Sequence, residues 1–297
     1  MKKKYIIFSI VTLVLLVALI TSFNYFKTTN TYIDDSVNNQ TKITKGISMN
    51  LEQTAGAGDY KTVTRSSWPT EGYNFNAELS RCENGSTLSW DDTKKAVIVS
   101  GNLSDKCYVY FDLARFDETC DGSTLACRIA KQYTGTQGEN SLYYHDSTLT
   151  NGAGDNSYRY AGASNNVNNY ICLGSDATTC PDANLFRIIG VFGDQTKVIR
   201  AKSVGNQKWD TNNSNTWASS SLNTYLNGTY LTSLGTLAEK IATTTWKVGG
   251  GAYANISQSV PKTAYQYEVG SSASTTTVDK KIGLMYVSDY GYAADQS

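Results

Sequence analysis

Between residues 47 and 112 the chain alternates apolar and polar residues in short runs. Residues 61–64, 73–76, 96–99 and 107–111 each carry the two-residue period of a half-buried strand. Asn84-Gly85 is a strong turn dipeptide, and residues 90–92 lead into a second turn before the run at 96–99. The pattern predicts a small antiparallel β-sandwich over 47–112, with Trp68, Tyr73 and Trp90 as its large core residues.

Periodicity then weakens. Residues 113–183 read as a loop-rich connector with one short helix at 125–133 and a Gly/Asn-dense run at 151–169. At 184–193 an almost continuous apolar run predicts a buried strand, and a Gly-Asp turn leads to a second strand at 197–200. Leu222, Tyr225 and Leu226 share one helical face, with serines before them as a cap and Gly228 as a stop. Leu234, Leu237 and Ile241 predict a second short helix, and residues 282–287 a last strand. The predicted fold class is mostly β: the sandwich, followed at 184–297 by a mixed α+β domain. Nothing after residue 287 supplies a closing strand before Ser297, which points to a domain incomplete at its C-terminus.

Ahead of both domains, Lys2, Lys3 and Lys4 precede an apolar run that reaches Phe23. That is the order of an export signal, and 5–23 is about 19 residues, near the ~20 that cross a bilayer. No pair of small residues marks a cleavage site, so the segment reads as an uncleaved signal anchor and transmembrane helix. Residues 1–4 form a cytoplasmic tail by the positive-inside rule, 24–46 a polar stalk, and the bulk is extracellular at the cell membrane.

Charge and cysteine usage fit that placement. Lys plus Arg and Asp plus Glu are equal at 26 each, with no basic cluster beyond the N-terminus, so the field needed for nucleic acid is missing. The six cysteines fall as close couples, Cys82 with Cys107, Cys120 with Cys127, and Cys172 with Cys180. Six cysteines allow about 15 pairings, and local disulfides in an oxidising compartment are the reading preferred to free thiols or zinc, for which the spacings are too long.

Candidate chemistry is sparse. The single histidine, His145, neighbours Asp146, a carboxylate able to tune an imidazole for acid/base work. No G-x-S-x-G elbow accompanies it, and the cysteines are expected to be oxidised. Residues 210–215 place oxygen donors at alternate positions but lack the glycine and glutamate of a calcium loop. Gly249-Gly250-Gly251 has no following Lys-Ser/Thr and reads as a turn rather than a phosphate cradle. No catalytic, metal or cofactor-binding residue is assigned, and no cofactor is expected.

Several segments resemble uncharacterised exported proteins of low-GC Gram-positive gut bacteria: Gly72-Tyr73-Asn74-Phe75-Asn76, Cys82-Glu83-Asn84-Gly85-Ser86, Leu142-Tyr143-Tyr144-His145-Asp146, Tyr158-Arg159-Tyr160, 186–192 and 282–290. The helix with Trp217, Leu222 and Leu226 resembles a W-x-x-S-x-L-x-x-x-L-N domain of unknown function with C-type-lectin-like folds. The resemblance implies a small sheet flanked by two helices and bearing long binding loops, but the calcium signatures of sugar-binding lectins are absent. The expected role is a surface protein for binding or adhesion, with an extracellular glycan or protein as partner. A glycan-processing enzyme and a pilin-like subunit are the alternatives.

Overall fold

The computed structural model describes residues 46–294, apart from 66, 103 and 257–259. The proposed anchor at 5–23 and nearly all of the stalk lie outside the described residues. Among the described residues, no helix is long and apolar enough to cross a membrane. The chain divides into two compact units at residues 115 and 116; the described residues as a whole are mostly β, with several sheets and no closed barrel among them.

The first unit contains β1 (Ile47–Glu52), β2 (Tyr60–Val63), β3 (Tyr73–Cys82), β4 (Thr87–Asp91), β5 (Ala96–Ser100) and β6 (Cys107–Leu113). Four of them form a sheet in the order β2-β1-β6-β3, and β4 and β5 form a separate hairpin. The expected all-antiparallel pairing is corrected at one place: β1 runs parallel to β6, with Met49 opposite Val109. The residues between these strands form the rest of the unit, a separation that a parallel crossover needs and a hairpin does not.

Met49, Leu51, Val109 and Phe111 on the sheet are buried with Ala96 and Val97 of the hairpin and with Trp68. Phe111 is fully buried, its ring 6.0 Å from Trp68, 5.8 Å from Phe75 and 5.6 Å from Trp90. Central β1 is covered on its other side as well, so its polar residues need internal partners. Glu52 is buried, and its carboxylate accepts from the N–H groups of Gly58 at 2.8 Å and Leu113 at 2.9 Å.

In the second unit, β7 (Leu142–His145), β8 (Ser157–Tyr160), β9 (Tyr170–Cys172), β10 (Leu185–Phe192) and β11 (Gln195–Arg200) make one antiparallel sheet in the order β11-β10-β8-β7, with β9 also on β10. The segment expected as a connector therefore supplies three of its strands. These strands are only three or four residues long, too short to show a clear period between their loops. Gly190 lies where β8 crosses closely: a Cβ there would sit 2.2 Å from the Tyr158 carbonyl oxygen.

Helix α1 (Phe116–Thr119) is followed by α2 (Leu125–Ala130), whose Thr124 hydroxyl accepts from the Cys127 N–H. α2 buries Ala126, Ile129 and Ala130 against Leu142, Tyr144, Tyr158, Ile188 and Val191 of the sheet. Beyond β11 come α3 (Ser221–Tyr225), a π-helical turn at Leu226–Tyr230, α4 (Leu231–Ser233) and α5 (Leu237–Lys240). Gly228 does not stop the helix; it lies inside the π turn, and the chain stays helical to Ser233. The ribbon of β12 (Thr244–Lys247) and β13 (Thr277–Lys280) encloses α6 (Tyr253–Ile256) and α7 (Pro261–Glu268), and α8 (Val287–Ala293) follows.

The strand expected at 282–287 is absent. Its first residue finds strand-like bonding from one side chain, because the Asn227 amide donates to the Ile282 carbonyl at 2.9 Å and accepts from its N–H at 3.0 Å. With that pairing met by a side chain, the segment passes without a partner strand into α8.

Candidate functional site

Two features of the second unit combine polar chemistry with position. The first is a buried ionic network. Arg159, on β8, is 2% exposed, which forces its guanidinium to find partners inside the protein. It bonds the Ser157 hydroxyl at 2.8 Å, Asp155 at 2.7 Å and Asp289 at 3.2 Å. Asp289 also takes the Lys197 ammonium, and it accepts from the Tyr286 N–H as part of the N-terminal cap of α8. Rings of Phe192, Tyr292 and Tyr265 surround the guanidinium at 4.5, 4.8 and 5.6 Å.

Burial pushes the Asp155 carboxyl up, but Arg159 and the hydrogen bonds from Ser157 together outweigh it and hold the group below its ordinary value. Burial also lowers the Lys197 ammonium below its usual value, against the pull of Asp289. The Tyr292 phenol is pushed up to about 12 by burial.

The second feature is a cleft enclosing about 150 Å³, walled by Trp209, Trp217, Trp246, Tyr286, Leu284 and Met285. Trp209 and Trp217 pack at 5.4 Å, and Trp246 and Tyr286 at 6.3 Å. The polar edges of Trp209, Trp246 and Tyr286 are engaged by the scaffold. The Trp209 indole N–H donates to Ser214 at 3.0 Å and that of Trp246 to Lys280 at 2.8 Å, while the Tyr286 hydroxyl bonds both the N–H and the carbonyl of Lys247. Glu268, also at the cleft, accepts from the Val287 and Ser288 N–H groups at the start of α8. Ring and aliphatic surface dominates what remains to meet a ligand, with Lys247 also on the lining, and such surface favours stacking.

Gly283 fixes this wall. A Cβ there would lie 2.6 Å from the Trp246 ring, so the chain can pass beneath the indole only as glycine.

Of the sequence candidates, His145 borders the ionic network through Tyr292, and Asp146 and Asp210 are spent on local turns. His145 is buried on β7; its Nδ1 accepts from the Ala153 N–H at 3.1 Å and its ring meets the Tyr292 ring edge-on at 4.7 Å. Burial, helped by nearby Arg159, lowers the imidazole to about 3, which keeps it neutral. Asp146 does not contribute to the cleft: its carboxylate accepts from Thr148 and Leu149 and closes a turn. Asp210 likewise turns its carboxylate onto the N–H groups of Asn212, Ser214 and Ser221. Among the described residues no group of three or more His, Cys, Asp or Glu is placed to hold a metal ion. Of the glycine run, Gly250 borders the cleft.

All six cysteines pair as neighbours: Cys82–Cys107, Cys120–Cys127 and Cys172–Cys180. Such pairing suggests an extracellular or secreted protein. Sequence reading passed over Trp246, Tyr286 and the Arg159–Asp289 pair as functional candidates. The one signal was an arginine flanked by two tyrosines in a strand, which marks a buried cation once both sheet faces are covered.

No family model matches the chain, and no curated protein or solved structure does either.

Proposed function

We propose that this chain is a membrane-anchored surface protein whose second unit binds an extracellular glycan in the aromatic cleft. The observation that carries the reading is the cleft itself, where ring faces are presented while the polar edges of Trp209, Trp246 and Tyr286 are already bonded to the scaffold. Flat apolar ring faces stack on sugar rings without demanding a particular donor set. The anchor rests on the Lys2–Phe23 sequence, and export is supported by the three disulfides. The C-type-lectin-like reading of the second unit is supported by a small sheet with flanking helices and long loops; the sandwich reading of the first, by the hairpin packed on the sheet.

Glycan and protein arrays probed with the full chain in detergent test the reading. Binding to a glycan class that falls about 10-fold or more in Trp209→Ala, whose side chain is half exposed, is the expected result. Well-folded protein that binds no glycan, or binds one equally well after Trp209→Ala, would refute it; capture of a protein instead would replace the glycan as partner.

A further inference from the structure

We propose that Lys197 and Asp289 condense into an intramolecular amide, a covalent Nζ–Cγ cross-link between β11 and α8. This inference is independent of what the cleft binds.

The two groups are in contact, Asp289 is 3% exposed, and the Lys197 side chain is 18% exposed. Phe192, Trp246 and Tyr286 surround the ammonium, their ring centroids at 5.4, 5.5 and 4.6 Å. Both reactants are held before reaction. Lys197 sits within a strand, and Asp289 is fixed at the third position of α8 by its bond from the Tyr286 N–H. Holding reactants in place raises their effective concentration, to roughly 10⁵–10⁸ M in the best-oriented cases, which speeds attack of the amine on the carboxyl.

The step balances within the pair. The ammonium passes one proton to Oδ2, leaving a neutral amine and a neutral carboxyl, a transfer that a low-dielectric site favours. Burial, which lowers the Lys197 ammonium, acts in the same direction. The amine lone pair then forms the bond to Cγ. Charge developing on Oδ1 is met by the Arg159 guanidinium, 3.2 Å away. The nitrogen gives a second proton to the Oδ2 hydroxyl, which departs as water, and one N–H stays on the amide.

Condensation removes one buried positive and one buried negative charge together. Arg159 keeps Asp155 as its counter-ion, and the new carbonyl still accepts from Nη1; the one bond given up is that from the Tyr286 N–H, whose acceptor Oδ2 departs as water. The product would join residues 92 positions apart and tie the last helix to the sheet.

The test is peptide mapping by tandem mass spectrometry of the full chain, reduced, alkylated and digested. The expected result is a branched species joining the Lys197 and Asp289 peptides, one water lighter than their sum, as the main form. Lys197→Arg, which keeps the charge but not the amine, should yield the two peptides separately. Unlinked peptides as the main form in the unaltered protein would overturn the proposal, as would a branched species that persists in Lys197→Arg.

Discussion

Loss of the Cys82–Cys107 bridge is the perturbation with the most readily worked consequence. The bridge links β3 to β6 at directly opposed positions and closes a loop with a sequence separation of 25. The chain-entropy treatment assigns that loop about 3.5 kcal/mol at 25 °C, against about 2.4 kcal/mol for Cys120–Cys127, whose separation is 7. The first unit has about 70 described residues, for which a total stability of roughly 3.5–10 kcal/mol is ordinary. One bridge is therefore a third or more of what keeps it folded. With a urea slope of roughly 1.5 kcal/mol/M, replacing both cysteines by alanine should lower its midpoint by about 2 M. Pulse proteolysis of the full chain across a urea series, read by mass spectrometry on peptides from residues 46–115, reports that midpoint directly. A fall of less than about 0.5 M would refute the reasoning, because it would mean that the unbridged unfolded chain is already as restricted as the bridged one.

Other outcomes follow from single contacts. Phe111→Ala, at the centre of three aromatic rings, should destabilise the first unit by about 3–5 kcal/mol, measured in the same urea series. Gly283→Ala forces the Trp246 ring to move and should cost about 1–3 kcal/mol, with a changed near-ultraviolet dichroism signal from the indoles; an unaltered spectrum and stability would contradict the close approach. His145 has a folded value of about 3 and an unfolded one near 6.5, so the unfolded chain binds the extra proton between them. Stability is accordingly intact above pH 6.5 and lost progressively as the pH falls towards 3. Because the chain has one histidine, its imidazole resonances should show no titration from pH 8 down to about 4.5.

Alternation and turn chemistry were enough to place β3, β5, β6, β10 and β11, because each has an apolar period or run bounded by Gly, Asn or Asp. The cysteine couples were legible for a similar reason: close spacing in an exported chain leaves local bridges as the economical arrangement. The candidate site was far less so. Trp209, Trp246 and Tyr286 lie on separate segments, and nothing in their local sequence says that they share a wall.

By itself, then, the sequence determined the strand-rich character, the turn positions and the local disulfides, all of which depend on neighbours within a few residues. Packing between distant segments set the parallel pairing of β1 with β6, the place of β7, β8 and β9 in the second unit's sheet, and the use of Asn227 in place of a strand beside Ile282. It also decided which charges are buried together. Arg159 and Asp289 are 130 positions apart, and burial is set by what packs on top of a residue, a long-range property that no local pattern encodes.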